Sequence, residues 1–418
     1  MPTTQPIRSQ ILIVGGGSSG GVLAVLLSEL GFEVALVDTR DPELPFLPDS
    51  RAFAIVRGGW RVLDAAGVGQ RLVNQAEPLL SMEAHDANGM LPPASSMFGV
   101  EDLPAGAHEN EPLGYMIEVD LLNQAIRDRV KECSAITVYA PETVSDLKTD
   151  ETGAHVTLQS GKELHAELVI GADGVGSAIR ELSGIKTLGW SYQQAVVAAT
   201  VQLDWPHHGA ARQWFQDEGP FAILPLTENR GNLAWFRREA AGIATAKLSQ
   251  SELEAEINHR FGDLAGPMKV MRDPLAYPLR LRLAEKLIAP RVALVGDAVR
   301  RVNPLAGQGF NLGLKDIAAL VEILCQSRAA GLSLADGAQL ESYQRWRRFD
   351  GVATALAMDG INRAFSNSSA LLSPFKRLAL TVGSAVTPLR QKLARQASAD
   401  QPDLPALVRG EPLDTLVS

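Results

Sequence analysis

The sequence predicts an α/β protein with a Rossmann-like nucleotide-binding domain of three layers (ββα), an inserted antiparallel β-sheet domain, and C-terminal helices. Three observations support this fold class: a βαβ pattern at the start of the chain, two later strands that run into glycine-rich turns, and an alternating apolar pattern over residues 195–278. Alternation is typical of an antiparallel sheet with one covered face. The predicted boundaries are 1–75, 106–182 and 281–330 for the nucleotide-binding domain, 76–105 and 183–280 for the sheet domain, and 331–418 for the helical region.

The βαβ unit covers residues 11–37. Residues 11–14 are continuously apolar, as in a buried parallel strand. Residues 19–30 have apolar side chains at helical spacing and stop before Gly31, and residues 33–37 form the second strand. The chain therefore begins with a nucleotide-binding unit.

The rest of the chain alternates between regular and irregular segments. Residues 60–115 are rich in Pro, Gly, Met and polar residues, which predicts irregular structure between elements. A helix is predicted at residues 120–131, followed by strands in "AITVYA" and "HVTLQS", and "KELHAELVIGADGVGSAIR" leads a strand into a glycine turn. The last hundred residues return to helical spacing, which predicts the C-terminal helices.

The turn of the βαβ unit contains Gly15-x-Gly17-x-x-Gly20, and Asp38 follows the second strand. Gly15 permits a tight turn, Gly17 lets the backbone approach a pyrophosphate, and Gly20 lets the helix pack on the strand. Asp38 would accept hydrogen bonds from the adenosine ribose. Since FAD and NAD share the ADP half, this motif alone predicts a dinucleotide without distinguishing the two.

Composition excludes several classes of protein. The 46% hydrophobic and 21% charged residues are typical of a globular chain, and the net charge of -9 argues against nucleic acid. The two cysteines, Cys133 and Cys325, predict a reducing compartment. Without a signal region or an apolar run of ~18 residues, the protein is expected to be cytoplasmic or peripheral to the inner membrane. The pair His207-His208 lacks further ligands at metal spacing, so we predict a surface loop and no metal site.

Two further motifs extend the expected ligand. "GADGVGSAIR" and "GDAVRRVNPLAGQGFNL" each follow a strand, which indicates a ligand longer than one dinucleotide half. Asp297 could bind a ribityl hydroxyl, and N–H groups at a helix start could bind the flavin edge where negative charge collects on reduction. The motifs thus predict FAD, with candidate ligands Asp173, Gly174, Arg180, Gly296, Asp297, Gly307, Gly309, Phe310 and Asn311.

These motifs together resemble those of the FAD-dependent aromatic hydroxylases with the p-hydroxybenzoate hydroxylase fold, and within them the ubiquinone-biosynthesis hydroxylases. The segments "DSRAFAI", "LGYMIE", "GPFAILPL", "NPLAGQGFNLGLKD", "FDGVATALAMDGINRAFSN" and "DLPALVRGEP" are similar to segments of that subfamily and cover nearly the whole chain. The resemblance implies a further FAD contact at Arg51. It also implies that Asp173 and Arg180 serve both FAD and NAD(P)H, and that Pro304 lies beside the flavin, near the site of oxygen transfer.

The activity implied by the resemblance is that of an FAD-dependent monooxygenase. NAD(P)H would reduce the flavin, O2 would form a C4a-hydroperoxide, and this species would hydroxylate the ring of a polyprenylated phenol in ubiquinone biosynthesis. A hydroxylase of a small soluble aromatic, or a catalytically silent flavin-binding subunit of a biosynthetic complex, are the alternatives. Tyr115, Trp214 and Phe221 could line the substrate cavity or belong to the core.

Two positions depart from the pattern of that family, and the C-terminal region adds one feature. Val299-Arg300 stands where an alanine and then His or Gln are usual, and Asp120 where an arginine often contacts the flavin; Arg300 is a candidate to replace the lost charge. Residues 363–395 contain six basic residues, no acid, and apolar residues at helical spacing. This segment would contact anionic lipid or partners of a ubiquinone-biosynthesis complex, or pack on the body or on the second subunit of a homodimer.

Overall fold

A computed structural model describes residues 7–86, 96–102, 111–216, 219–302, 308–366, 401 and 403–417. The strands are β1 (Ile7–Val14), β2 (Val34–Val37), β3 (Ala52–Val56), β4 (Glu77–Leu79), β5 (Ser81–Asp86), β6 (Ser96–Gly99), β7 (Gly114–Glu118), β8 (Ile136–Tyr139), β9 (Val144–Thr149), β10 (Ala154–Leu158), β11 (Glu163–Gly171), β12 (Thr187–Leu203), β13 (Ala210–Phe215), β14 (Phe221–Leu226), β15 (Arg230–Arg238), β16 (Met268–Val270), β17 (Leu275–Ala284), β18 (Ile288–Ala289), β19 (Val292–Leu294) and β20 (Arg300–Arg301). The helices are α1 (Ser18–Glu29), α2 (Arg57–Ala65), α3 (Gly69–Leu72), α4 (Val119–Glu132), α5 (Ala178–Leu182), α6 (Glu239–Thr245), α7 (Gln250–Ala265), α8 (Gln308–Ala329), α9 (Gly337–Ser366) and α10 (Ala406–Arg409).

The strands form three sheets. The first has parallel strands in the order β19-β11-β1-β2-β8, with β18 antiparallel at one edge and the hairpin β9-β10 paired to β11. The second has nine strands in the order β20-β17-β12-β15-β14-β13-β5-β6, with β16 paired to β12. The third is the antiparallel sheet β3-β7-β4. The predicted fold class, a nucleotide-binding α/β body with an inserted antiparallel sheet, is confirmed.

Each large sheet has its own apolar core. Helix α1 contacts both α4 and α8 beside the parallel sheet, whose continuously apolar strands are buried. Apolar residues of β12, β14 and β15 alternate toward α7 and form a second core with it, while the residues between them face the nucleotide-binding body. Helix α10 packs on α2 and α8. Because the opposite face of the nine-stranded sheet lies over the body, a site can form between the two.

The region predicted to be irregular, residues 60–115, contains short regular elements, and this prediction is corrected. It holds most of α2, then α3 and β4, and the paired strands β5 and β6 of the nine-stranded sheet. Helix α2 has a strongly one-sided apolar face, but two glycines in its first turn weaken the helical signal. Strands β4 to β6 are three to six residues long, too short for alternation to be read from sequence.

The carboxyl ends of the parallel strands meet at one edge of the first sheet. The glycine turn follows β1, Asp38 follows β2, the "ADGVG" loop follows β11 and the Gly296 turn follows β19. Ligands of open α/β sheets bind at this edge, outside the carboxyl ends of the strands. The three predicted motifs are therefore neighbours in space.

Candidate functional site

The glycine turn between β1 and α1 has the geometry that its motif predicts. The Gly15 N–H donates to the Val37 carbonyl oxygen at 2.8 Å, and Gly15 has a φ of +102°, which favours glycine. A Cβ atom on Gly20 would lie 1.8 Å from the Gly15 carbonyl oxygen, whereas one on Gly17 would meet no atom within 4 Å. Helix α1 therefore packs tightly on the turn, and the space over Gly17 is open to a ligand.

Asp38 faces this turn from the end of β2. Its carboxylate accepts hydrogen bonds from the backbone N–H of Gly16 and, at 2.6 Å, from that of Arg40. These contacts hold the carboxylate beside the start of α1, where an adenosine ribose would lie in a dinucleotide site. The ribose contact stays a prediction that this position supports.

The N-terminus of α8 carries the candidates Gly309, Phe310 and Asn311. Phe310 stacks on Phe53 with ring centroids 4.8 Å apart. The Asn311 side chain donates to the Ala54 carbonyl oxygen at 2.7 Å and accepts from the Val56 N–H at 3.0 Å, which ties α8 to β3. A Cβ atom on Gly309 would meet no atom of the described residues within 4 Å, so these residues leave room for a ligand at the first turn of α8.

The Gly296 turn brings the two helix N-termini together. Gly296 has a φ of +62°, and a Cβ atom there would lie 2.7 Å from Ser19 Oγ in the first turn of α1. A Cβ atom on Gly313, in the second turn of α8, would lie 3.2 Å from the Gly296 Cα atom. Because a helix N-terminus has partial positive charge, the two together suit a ligand with anionic groups at two points.

Asp297 follows this turn and lies close enough to Arg51 for their charges to interact. Its side chain is exposed to solvent, yet the protein packed around it raises the pKa of the carboxyl, against the opposing effect of the Arg301, Arg51 and Arg300 guanidinium groups. Arg51 holds Asp49 through its Nε, at 2.9 and 3.0 Å from the two carboxylate oxygens. The hydrogen bond to Asp49 raises the pKa of Arg51. Arg51 and Asp297 thus share one charged region, as the motifs predict for FAD ligands.

Tyr277 on β17 lies near Arg51 and was not indicated by the sequence. Burial raises the pKa of its phenol to about 12, and the Arg51 and Arg301 guanidinium groups oppose this effect. The Tyr277 hydroxyl therefore keeps its proton at neutral pH and can donate a hydrogen bond. Its ring packs with Phe236 and Tyr192 on the sheet face opposite α7. The site thus receives a phenol group from the inserted sheet.

Arg51 also lines an open cleft that runs along the start of α4. It encloses about 410 Å³ and is lined by residues 46–51, the first turn of α4 with Asn123, and residues 273–275. Ser18 Oγ in the glycine turn donates to Asn123 Oδ1 at 2.7 Å. The cleft is therefore continuous with the turn, and a ligand extending from α1 toward Arg51 would occupy it.

Arg180 has a supporting position. It is 2% exposed and donates to the Ala298 carbonyl oxygen at 3.0 Å and to the Val175 carbonyl oxygen at 2.9 Å. Asp173 accepts from the Ile179 N–H at 3.2 Å, which closes the same loop. Gly174, with a φ of +76°, would accept a Cβ without contact. The Arg180 guanidinium thus joins the "ADGVG" and "GDA" loops. Arg180 would therefore act on FAD or NAD(P)H by positioning these two loops.

Of the two alternatives for Trp214 and Phe221, substrate cavity or core, the structure supports the core. Both face α7, and Phe221 stacks on Phe261 with ring centroids 3.6 Å apart. Tyr115 is also turned from the nine-stranded sheet, since its ring packs on Trp60 of α2 at 4.1 Å between centroids. All three rings belong to packing layers. Pro304 and Gly307 lie outside the described residues.

Arg300 has an acidic partner within the protein, and its replacement of flavin charge stays a prediction. Arg300 is 3% exposed, and its Nη1 lies 3.0 and 2.8 Å from the two carboxylate oxygens of Asp316, which has no exposed surface. Arg347 Nε donates to the same carboxylate at 2.9 Å. Arg300 therefore anchors the "GDA" segment to α8 and α9. The sequence position of Arg300 after the "GDA" motif does not predict this role, because its partner Asp316 reaches it only through the packing of α8.

Asp120, the second departure, receives an arginine from the inserted sheet. Arg272 Nη1 donates to Asp120 Oδ2 at 3.2 Å and to the Asp49 carbonyl oxygen at 2.9 Å, and lies 3.2 Å from Glu118 Oε1. Glu118, 3% exposed, also pairs with Arg230 at 3.0 Å. The Arg272 guanidinium thus lies beside the cleft although residue 120 is acidic, and this cation comes from the inserted sheet domain.

Replacing Arg272 by alanine is expected to weaken FAD binding roughly ten-fold, equivalent to ~1.4 kcal/mol, because Asp120 would present an uncompensated charge to an anionic ligand. Titration of the apoprotein with FAD, followed by flavin fluorescence, measures this change. Arg280→Ala is the control, since Arg280 is 57% exposed and 3.9 Å from Glu239. An unchanged FAD Kd for Arg272→Ala would show that this arginine only joins the domains.

The histidine pair does not form a metal site. His207 is buried, its Nδ1 accepts from the Gly209 N–H at 3.0 Å, and its Nε2 lies 3.0 Å from the Leu226 carbonyl oxygen. Both ring nitrogens of His207 are thus engaged by backbone. The pair lies in the loop between β12 and β13, as predicted, and His208 is exposed. Among the described residues, no three His, Cys, Asp or Glu side chains converge to hold a metal ion. Within the same residues, no helix combines the length and apolar content needed to cross a membrane.

The fold and the converging helix N-termini define a protein of the FAD-dependent monooxygenase fold. A solved p-nitrophenol 4-monooxygenase, PnpA from Pseudomonas putida, superposes with a TM-score of 0.77 and 18% identity, covering 94% of this chain and 98% of its own. PqsL from Pseudomonas aeruginosa, described as a probable FAD-dependent monooxygenase, has a TM-score of 0.73 and 20% identity, covering 88% and 100%. At these identities the similarity shows the fold.

Sequence comparison identifies the family. Residues 8–356 match the FAD binding domain family, and the chain belongs to it. Ubiquinone hydroxylase UbiL of Rhodospirillum rubrum is 36% identical, with 97% of this chain and 94% of the relative covered. The 3-demethoxyubiquinol 3-hydroxylase of Escherichia coli is 31% identical, with 94% and 99% covered. The resemblance drawn from the motifs is confirmed: the chain is an FAD-binding protein of the hydroxylase family, and the individual FAD contacts stay predictions.

Proposed function

We propose that this protein is an FAD-dependent monooxygenase that hydroxylates the aromatic ring of a polyprenylated phenol in ubiquinone biosynthesis. The observation that carries the proposal is the 36% identity to a ubiquinone hydroxylase over 97% of the chain. The position of Tyr277 supports it, since Tyr277 belongs to an apolar layer of the inserted sheet and lies near Arg51, which lines the cleft.

The residues present fit FAD. The open space over Gly17 and the N-terminus of α1 would hold the pyrophosphate, Asp38 the ribose, and Asp297 a ribityl hydroxyl. The N–H groups in the first turn of α8, next to Gly309, would hold the ring edge. Bound FAD supplies the redox chemistry that activates O2, and the protein supplies position and charge.

The inserted sheet would orient the phenol and exclude water from it. Val196, Phe236 and Leu279 form a buried apolar layer around Tyr277. Because the Tyr277 hydroxyl keeps its proton, its Oη can donate a hydrogen bond to the phenol oxygen and fix the ring. The apolar layer keeps water from the reacting carbon.

NAD(P)H is the proposed electron donor, and its oxidation tests the function. We expect NAD(P)H oxidation and O2 consumption by the FAD-loaded protein to rise when a prenylated phenol is added, and the product to carry one added oxygen atom on the ring. A response to soluble aromatics alone would indicate a small-aromatic hydroxylase. No response to any phenol, with FAD bound, would indicate a catalytically silent subunit.

The basic segment 363–395 is proposed to bring the protein to anionic lipid, or to partners of a ubiquinone-biosynthesis complex, at the inner membrane. Its six basic residues and apolar spacing, on a chain with a net charge of -9, support this. Flotation with anionic vesicles should be lost when 363–395 is deleted. Unchanged flotation would leave packing on the body or within a homodimer as the role of the segment.

A further inference from the structure

An exposed apolar band extends from the buried apolar face of the nine-stranded sheet to the protein surface. On the extended ends of β12 and β17, Leu188 pairs with Leu283 and Trp190 with Leu281. Directly paired residues share one face of a sheet. Leu281 is 3% exposed, but Trp190 is 41% and Leu188 62% exposed. The buried apolar face therefore runs outward to the surface without a polar interruption at these pairs.

Helix α9 extends this band. Ala355 packs in one apolar cluster with Leu281, Val302 and Leu312. The α9 residues beside Ala355 remain uncovered: Val352 is 38%, Leu356 56% and Phe349 82% exposed. With spacings of three and four residues, these three side chains form one stripe on the helix. The apolar band consists of five exposed residues: Leu188, Trp190, Phe349, Val352 and Leu356.

The inner end of the band lies at the cleft. Tyr192 packs both on the cluster of Ala355 and on the layer that contains Leu279 and Tyr277. The Tyr192 ring also contacts that of Trp190, with centroids 6.5 Å apart. Apolar contact thus continues from Tyr277, beside Arg51, through Tyr192 to the surface.

The exposed face of α9 carries charges of both signs, with Glu341 exposed one turn before the arginines. Arg345 and Arg348 are exposed on it. Asp350 is engaged by Arg347 at 2.9 Å, and Asp359 is 8% exposed. Exposed apolar side chains that stand together rather than singly mark binding surfaces. A narrow band that begins at the reaction cleft suits a linear hydrocarbon better than a broad protein partner.

We propose that the apolar band binds the polyisoprenoid chain of the substrate while the aromatic ring lies in the cleft. The proposal rests on the proposed function, because only a prenylated phenol carries such a chain. Hydrocarbon binding is non-directional and grows with the apolar area covered, so a row of aliphatic and aromatic side chains is sufficient. Each isoprenoid unit that lies on the band removes apolar surface from water, which stabilises the complex.

The test uses the FAD-loaded full-length protein with Phe349→Gln and Leu356→Gln, and Leu264→Gln as control because Leu264 is an exposed helical leucine of α7 at 39%. For a phenol with a long isoprenoid chain, both variants should raise KM on the order of ten-fold, as for loss of one buried aliphatic contact. For the same phenol with a single isoprenoid unit, KM and kcat should not change. Equal effects on both phenols, or the same effect in Leu264→Gln, would overturn the proposal.

A binding measurement separates this inference from the function. Fluorescence anisotropy of a labelled long-chain prenol should show binding to the wild type and to Leu264→Gln, and weaker binding to Phe349→Gln and Leu356→Gln, without turnover. If no phenol is hydroxylated but the prenol binds in this pattern, the proposed function is wrong and the assignment of the apolar band to isoprenoid binding is supported. If phenols are hydroxylated but the prenol binds all variants equally, the band fails. A change of sedimentation in the variants would assign the band to a second copy and overturn the proposal.

Discussion

Replacing Gly20 by alanine is expected to give a folded protein that no longer retains FAD. The new Cβ atom would lie 1.8 Å from the Gly15 carbonyl oxygen, so the helix or the turn must move. Either movement displaces the N–H groups of α1 from the pyrophosphate position. Overpacking of this kind costs about 1–3 kcal/mol, so FAD Kd should rise up to roughly 100-fold. The visible spectrum of the purified variant and titration with FAD measure the loss.

Gly337→Ala is the matched control for Gly20→Ala. Gly337 begins α9, and a Cβ atom there would meet nothing within 4 Å. This control should retain FAD like the wild type, and circular dichroism should show that both variants are folded. Full FAD retention by Gly20→Ala would contradict the assignment of this turn to the pyrophosphate.

Replacing Asp316 by asparagine is expected to lower the free energy of unfolding by about 3–5 kcal/mol, because it removes the negative partner of two buried arginines. Asp316 has no exposed surface and holds Arg300 and Arg347 at 2.8 and 2.9 Å. Among the described residues, the Nη2 atoms of both arginines have no hydrogen-bond partner, so the asparagine leaves further charge uncompensated. Urea unfolding followed by circular dichroism measures the difference.

Asp146→Asn is the control, since Asp146 is 46% exposed and forms a surface pair with Lys148 at 3.1 Å. This substitution should change the free energy of unfolding by less than about 1 kcal/mol, as expected for an exposed ion pair. Equal unfolding curves for the two variants would mean that the buried cluster contributes no more than a surface pair. FAD should also stabilise Asp316→Asn less than the wild type, because Arg300 anchors the segment after Asp297.

The parts of the site that sequence predicts are those formed by neighbours along the chain. The glycine turn of Gly15 and Gly20, the acid Asp38 and the start of α8 follow from spacing within one strand–turn–helix unit. The edge of a parallel sheet then brings the three units together, because all the strands end there. A periodic sequence therefore predicts the cofactor contacts before any pairing of distant strands is known.

The parts that sequence does not predict depend on contacts between distant segments. Tyr277 faces the cleft only because β17 pairs with β12 in one register, and a shift by one residue would turn it away. Arg272 reaches Asp120 across 152 positions of the chain. Trp214 and Phe221 were plausible cavity residues until the pairing of β13 and β14 placed them toward α7. Residue type alone cannot decide which face of a strand is inward.

The incorporation of oxygen into a prenylated phenol tests the central claim most directly. The FAD-loaded protein would be supplied with NAD(P)H and isotopically heavy O2, and the phenol product analysed by mass spectrometry. A flavin monooxygenase acting on the ring predicts one heavy oxygen atom on the aromatic ring for each product formed. Oxidation of NAD(P)H with heavy oxygen recovered only in hydrogen peroxide, or a product whose new oxygen comes from water, would contradict it.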